Sequence, residues 1–251
     1  MRTVALHEES FADRPAFDTA VSRALLGAVA DGRHPECLRL HRPGDVVAFS
    51  VLDRARPGFA DAVEAAHRAG FGAILRLAGG RAAVFHGGTI AFAWCIPDPT
   101  PRDGIRARFD ATAEVVREAL VALGVDARVG EVAGEYCPGE HSVNARGRRK
   151  LMGVGQRIVR GSAHVGGVLV VGGGERVREA LVPVYASMGF GWDPSTVGAV
   201  EDEIPGITVA EVRAALLDAW RRRLTLEARA LPAAVLESAS EREADHHIAR
   251  R

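Results

Sequence analysis

An α+β domain with a mixed, largely antiparallel sheet and flanking helices is the fold class this sequence predicts, and three observations predict it. Hydrophobic residues make up 47% and charged residues 25% of 251 positions, enough apolar material for one sizeable core. The predicted element order, αββαβββαβββαα, groups strands in local runs joined by short glycine or proline turns. That order suits antiparallel neighbours better than a doubly wound sheet. Finally, the one strand–glycine–helix segment, VLVVGGGERVREAL over 168–181, has Val177 where a dinucleotide fingerprint needs its third glycine.

The elements follow in order. Residues 16–30 repeat apolar positions with helical period, and Asp31-Gly32 ends that helix. CLRLHR (37–42) and VVAFSV (46–51) read as strands split by the turn signal Pro43-Gly44-Asp45. A helix over 58–69 stops at Gly70, and strands are expected at 72–77, 82–86 and 89–96, broken by Gly79-Gly80 and Gly87-Gly88. A long amphipathic helix spans 105–123. Strands follow near 125–132, 148–159 and 164–171, then helices near 175–188 and 208–223. The organisation expected is an N-terminal extension over 1–15, one main domain over 16–225 and a charged tail over 226–251, mobile or a lone helix from about Leu231.

Composition excludes several function classes. Lys+Arg and Asp+Glu both number 32, so no net basic field invites nucleic acid or an anionic membrane. The N-terminal stretch has acidic residues and no apolar run of signal-peptide type, and no run long enough to span a bilayer occurs. Cys37, Cys95 and Cys137 form neither a disulfide framework nor a zinc pattern, so no metal and a reducing cytoplasm are expected. Cys95 reads as a buried small hydrophobe in an apolar strand. His34, His41 and His67 read as surface residues, and His246-His247 as solvated.

Against a background rich in arginine, the lone lysine Lys150, the lone asparagine Asn144 and the lone glutamine Gln156 all fall in one window, NARGRRKLMGVGQ. A compact point charge differs from a guanidinium, so a lysine kept at one place points to a site there. Cys137 lies upstream in GEYCPGEHS, a loop bounded by glycine and proline, which is where nucleophiles are presented. An ammonium nearby favours the thiolate. Two readings stand on these local features alone: a nucleophile with its activating lysine, or an incidental loop cysteine and a surface lysine. RLAGGRAAVFHGG (76–88) adds a glycine–arginine turn suited to close backbone approach to a ligand, ending in His86. GSAHVGG (161–167) sets His164 before two glycines.

Taken together and in this order, the blocks resemble the biotin/lipoate protein ligase superfamily, from about residue 16 to 223. ECLRLHRPGDVVAFS is similar to its opening strand pair, LAGGRAAVFHGG to its Arg-Gly-Gly-Arg block, and KLMGVGQRIVRGSAHVGG to the block that opens on its lysine. The resemblance implies a class II synthetase/biotin–lipoate ligase-like fold with a sheet wrapped around an acyl tunnel. It implies Lys150 at the acyl carbonyl, Gly79, Gly80 and Arg81 as the enclosing loop, and His86 and His164 lining the pocket. Gly153 and Gln156 would stand beside Lys150, with Arg76 and Gly166 as further substrate-binding residues.

Having both Arg81 and Cys137, the chain leans toward the cysteine-dependent octanoyltransferases and amidotransferases of that superfamily. The expectation is that Cys137 takes an octanoyl or lipoyl group from an acyl carrier protein or a lipoylated carrier as a thioester. A lipoyl-domain lysine then receives it, with no cofactor required. The alternatives are an ATP- and Mg²⁺-dependent lipoate ligase in which Lys150 holds a lipoyl-adenylate, and a non-catalytic acyl- or lipoyl-domain-binding member of the fold. Arg148 and Arg149 either meet an acidic carrier domain or are two solvated arginines in a turn.

Overall fold

The computed structural model describes residues 1–248. Two sheets organise it. The larger has eight strands in the order β11-β1-β2-β6-β10-β9-β8-β7. These are β1 (Thr3–His7), β2 (Cys37–His41), β6 (Thr89–Pro97), β7 (Ala127–Val129), β8 (Val143–Ala145), β9 (Arg149–Val159), β10 (Ser162–Val170) and β11 (Thr225–Ala228). All its pairs are antiparallel except β1 with β2 and β1 with β11. The smaller sheet sets β3 (Val46–Phe49) between β4 (Gly72–Leu75), parallel, and β5 (Ala83–Phe85), antiparallel. The fold is thus the predicted α+β arrangement.

Helices cover the sheets wherever an apolar stripe demands it. In α4 (Ile105–Ala122), Thr112, Val115, Val116, Ala119 and Leu120 form one buried face. With α6 (Val209–Arg221) it packs on the large sheet against Leu38, Ile90, Trp94, Leu151 and Leu169. Thr208 opens α6 through a capping box with Glu211. The small sheet turns Val47, Phe49, Leu75 and Val84 toward α3 (Phe59–Arg68) and α5 (Gly174–Ser187). The run VVAF is continuously apolar because both of its faces are covered. The strand expected over 46–51 stops at Phe49 because Ser50 and Asp53 form a capping box that starts the single-turn helix α2 (Val51–Arg54).

Several expectations change. The N-terminal extension supplies β1, and residues 225–228 supply β11, so both chain ends pair into the large sheet. The tail contains α7 (Ala233–Arg242), which is not alone: Val235 and Ala239 pack with Phe17, Val21 and Leu25 of α1 (Pro15–Ala30). Burial of even two or three such side chains, at roughly 1.5–3 kcal/mol for each large one, outweighs the helix's weak propensity. His246 is buried and its Nδ1 lies 2.8 Å or less from a backbone carbonyl, at 2.7 Å from Leu75 O, whereas His247 is exposed. The tail's last residues, 249–251, lie outside the described residues. His34 is buried too, and the side chains of His41 and His67 are 8% and 12% exposed, so these three are not surface residues. Cys95 is buried in β6 as expected. The glycine segment after β10 binds no βαβ unit, since β10 runs antiparallel to both neighbours and Val177 is core.

Candidate active site

A cavity of about 580 Å³ lies between the two sheets, within the size range of small-molecule sites. Strand alternation builds it. Val46, Ala48, Ile74, Ala83 and Phe85 line it from the small sheet, while Ala91 and Ala93, Gly153 and Gly155, and Gly166 and Val168 line it from β6, β9 and β10. The register sets Gly166 directly between Gly155 and Ala93, so the floor is paved with the smallest side chains. The opposite face of the same strands carries Ile90, Trp94, Met152 and Leu169. A Cβ at Gly155 would stand 2.8 Å from Ala78 Cβ, and one at Gly166 2.4 Å from His164 Cε1, so both glycines are sterically required.

Cys137 stands at one side of this cavity with φ of +42°, a left-handed conformation rare outside glycine and stabilised only where surrounding groups impose it. Those groups are identifiable. Tyr185 Oη accepts the Cys137 N–H at 3.0 Å and donates to Ala82 O at 3.0 Å. Lys150 Nζ donates to Cys137 O at 2.7 Å, Tyr136 O at 3.0 Å and Glu135 Oε1 at 2.9 Å. The Glu135 carboxylate also accepts from Val132 N, Gly139 N and Ser142 Oγ. Lys150 is 1% exposed, so a buried, fully hydrogen-bonded ion pair anchors the loop.

The thiol points at the glycine–arginine turn. Arg81 N–H donates to Cys137 Sγ at 3.1 Å, and Arg76 Nη2 lies 3.7 Å from it while bonding Gly79 O and Arg81 O, each at 2.6 Å. Gly80, at φ of +95°, lets this turn close on the sulfur: a Cβ there would lie 2.9 Å from Sγ. Burial pushes the Cys137 thiol up, but the charges of Arg76 and Lys150 and the Arg81 amide outweigh it and bring the thiol below its ordinary range. Lys150 is thus buried and not a surface lysine, and it is tied to the cysteine loop through the Cys137 carbonyl.

Not every expected residue converges. Arg76, Gly79, Gly80, Cys137, Lys150, Gly153, Gln156, His164 and Gly166 line the cavity. Arg81 contributes its backbone, while its guanidinium lies over the Phe190 ring, 4.4 Å from the centroid. His86 does not line the cavity: it follows Phe85 on β5's other face, where its Nδ1 accepts Gly88 N–H at 3.0 Å and it packs on Gly173. Gln156 is committed to α4, donating to Ile105 O and accepting from Arg108. Asn144 builds the β8–β9 hairpin, bonding Gly130 O and Gly147 N beside the positive-φ pair Arg146-Gly147. Arg148 and Arg149 are exposed near this turn, and Arg149 pairs with Asp202 at 3.3 Å.

Sequence reasoning missed Glu135, Tyr185 and the cavity-lining pair Asp18–His41. The chain has two tyrosines, and both Tyr136 and Tyr185 pack at Cys137, the same kind of compositional signal that marked Lys150. His41 Nε2 lies 2.9 Å from Asp18 Oδ2, and Arg39 also bonds that carboxylate. Burial opposes the Asp18 charge, yet His41 and Arg39 outweigh it and hold the carboxyl at about 2. Burial pushes His164 down to about 4, leaving a neutral imidazole whose Nδ1 has no partner among the described residues.

The family model for the lipoyl protein ligase A/B catalytic domain matches residues 14–221. The chain belongs to this family. Within the lipoyl protein ligase A/B catalytic domain family, similar curated proteins are octanoyl-[GcvH]:protein N-octanoyltransferases. That of Geobacillus kaustophilus is 27% identical over 70% of this chain and 63% of its own length. That of Exiguobacterium sibiricum is 29% identical over 73% and 64%. The chain thus spans under two thirds of the length of these relatives. Among solved structures, lipoate-protein ligase A bound with ATP superposes with a TM-score of 0.77 at 19% identity, covering 97% of this chain and 95% of that one. A bi-partite lipoate protein ligase from Thermoplasma acidophilum, solved in a study of its system with an E2 lipoyl domain, gives 0.77 at 18% identity, covering 97% and 93%. These establish the family's fold here. No described helix is long and apolar enough to cross a membrane.

Proposed function

We propose that this protein is an acyltransferase that moves an octanoyl or lipoyl group through a thioester on Cys137 to a lysine of a lipoyl-domain protein. The observation that carries the reading is the thiol itself: its sulfur receives the Arg81 N–H at 3.1 Å, faces the Arg76 guanidinium, and borders an apolar cavity. The thiolate attacks the donor's acyl carbon. A C–S bond forms, the donor's bond to that carbon breaks, and the donor leaves as a thiolate or, from an amide, as an amine that takes up a proton. The acceptor amine then attacks the thioester, loses a proton and frees the Cys137 thiolate, which splits one acyl transfer into two easier steps.

In this reading the Arg81 amide that holds the thiolate would shift to the oxyanion forming on the attacked carbon, and one such donor is worth about 10²–10³ in rate. Lys150 positions the nucleophile through the Cys137 carbonyl and adds positive charge; reaching the acyl oxygen requires it to exchange one of its three bonds. The acyl tail enters the cavity between the sheets, where at about 0.8 kcal/mol per methylene an eight-carbon chain gains roughly 5 kcal/mol. The names of the curated relatives, which specify octanoyl-[GcvH] as donor and protein as acceptor, support carrier proteins at both ends of the reaction. In this route the chain needs no cofactor, and the reaction suits the cytoplasm, where the thiol stays reduced.

The test is intact mass after incubation with octanoyl-loaded carrier protein or octanoyl-[GcvH], without ATP, beside Cys137→Ala. A hydroxylamine-labile acyl adduct on the unaltered protein alone is expected. Acyl-adenylate formation from free lipoate, ATP and Mg²⁺ that survives Cys137→Ala would replace the transferase with a ligase, and acyl binding without turnover would make the chain a binding member of the fold.

A further inference from the structure

Outside the cavity, one cluster of ligating side chains brings two imidazoles and a thiol together in the interior. His7 on β1, His34 in the loop after α1 and Cys37 at the start of β2 are all buried, and their ligand atoms lie within 4.8 Å of one another. None of the three lines the acyl cavity. His7 Nδ1 lies 2.8 Å from Arg229 O, and His34 Nδ1 lies 2.8 Å from Pro35 O. A carbonyl only accepts, so each of these nitrogens must carry the ring's N–H. A neutral imidazole has one such proton, and both are therefore spent on backbone carbonyls. The two Nε2 atoms then face each other lone pair to lone pair at 3.3 Å. A buried arrangement of that kind is relieved by a cation between the rings, either a proton taken up by one imidazole and donated to the other or a metal ion.

We propose that His7 Nε2, His34 Nε2 and Cys37 Sγ form a buried site for a soft divalent metal ion, Zn²⁺ in the first instance. Two imidazole nitrogens held at about 2.0–2.1 Å by a tetrahedral ion stand about 3.3 Å apart, the separation found here before any ion is added. A thiolate at about 2.3 Å would lie about 3.5 Å from each nitrogen, so Cys37 Sγ has at most roughly 1.3 Å to close. The Nδ1–H to carbonyl bonds are the outer contacts that fix tautomer and ring orientation in histidine–metal sites. The donor set of two imidazoles and one thiol excludes Mg²⁺ and Ca²⁺, which take oxygen ligands.

Binding replaces the Cys37 S–H proton by a metal–sulfur bond, and the proton leaves to solvent; no oxidant or reductant is involved. The ion would join β1 to β2 and, through the Arg229 carbonyl, to the chain just after β11, a structural staple at the sheet edge formed by both chain ends. The inference is independent of the acyl-transfer reading.

The test uses the full chain without an affinity tag, reduced, stripped by chelator and carrying Cys137→Ser so that the active-site thiol cannot contribute. Titration with Co²⁺ is expected to give one equivalent bound, with a thiolate-to-cobalt charge-transfer band and intense ligand-field bands of four-coordinate cobalt, displaced by Zn²⁺. Cys37→Ser should abolish the charge-transfer band, and His34→Gln should weaken affinity at least about tenfold while circular dichroism stays unchanged. His34→Gln is the safer variant, being in a loop, and it stands alone if Cys37→Ser does not fold. No cobalt–thiolate band in the Cys137→Ser protein, or a band that survives both substitutions, overturns the site. In that event a shared proton between the two imidazoles is what holds them together.

Discussion

Replacing Arg76 by glutamine is expected to raise the Cys137 pKa, because the cation facing the thiolate is lost. The guanidinium Nη2 stands 3.7 Å from Sγ. At an effective dielectric of about 20, a cation and a thiolate at that separation attract by about 4 kcal/mol. The thiol is only half-buried, and the Lys150 charge and the Arg81 N–H persist in the variant, so the net effect is a fraction of that attraction. The assay is the pH dependence of alkylation by iodoacetamide, read by mass spectrometry on the Cys137 peptide. Cys37 and Cys95 are fully buried and do not compete. A weaker acid gives a better nucleophile, so with a Brønsted slope of about 0.45 each tenfold loss of thiolate at neutral pH lowers the rate only roughly 3.5-fold. The midpoint is therefore the decisive quantity, not the rate. Arg76 also braces Gly79 O and Arg81 O, so Arg76→Lys, which keeps the charge and loses the fork, separates charge from bracing. A midpoint unmoved in Arg76→Gln would refute the electrostatic account of the thiol, and one that moves equally in Arg76→Lys would assign the effect to the loop.

Further outcomes follow from the same structure. Lys150→Met leaves the Glu135 carboxylate buried without its cation and is expected to cost about 3–5 kcal/mol, or roughly 6–20 °C in Tm, whereas Glu135→Leu with Lys150→Met should recover much of that loss in thermal denaturation. Because the folded pKa of Asp18 is about 2 against an ordinary 3.8, its charge contributes stability that is fully present above about pH 4 and is lost as pH falls through about 2. That contribution is about 2 kcal/mol, and denaturant unfolding of Asp18→Asn should differ from the unaltered protein by correspondingly less at the acid end of this window. Ala93→Leu adds bulk to the cavity floor and should suppress acylation by octanoyl donors more than by butanoyl donors, with thermal stability held within about 1 kcal/mol; equal suppression of both would place the acyl chain elsewhere.

Much of this molecule was legible in the residues. Helices α1, α3, α4, α5 and α6 lie within a residue or two of their expected spans, because an amphipathic period and its stop signals are local. β1, β11 and α7 were not, because their stability is not local. A five-residue strand between a coil and a helix carries no period long enough to read, and it exists because β2 and β11 offer it partners from 30 and more than 200 residues away. The short β8 strand is held by a hairpin whose asparagine was visible as a rarity and not as a turn residue.

The site divides the same way. Residue identity alone marked Cys137, Lys150 and the Gly79-Gly80-Arg81 turn, since a lone lysine and a loop cysteine are chemical facts that need no coordinates. Which groups the side chains meet was decided in three dimensions. Strand alternation put Phe85 in the cavity and sent His86 to the opposite side, and the guanidinium of Arg76, near the end of the strand expected over 72–77, reached the sulfur while Arg81 offered only its amide. Glu135, Tyr185, Asp18 and His41 became site residues only when two sheets closed over one cavity. Composition and period thus determined the fold class and most helices, and they singled out the loop cysteine and the lone lysine. The lowered thiol, the apolar cavity and the histidine pair at the sheet edge are set by distances between residues far apart in the chain, and those distances exist only once the core has packed.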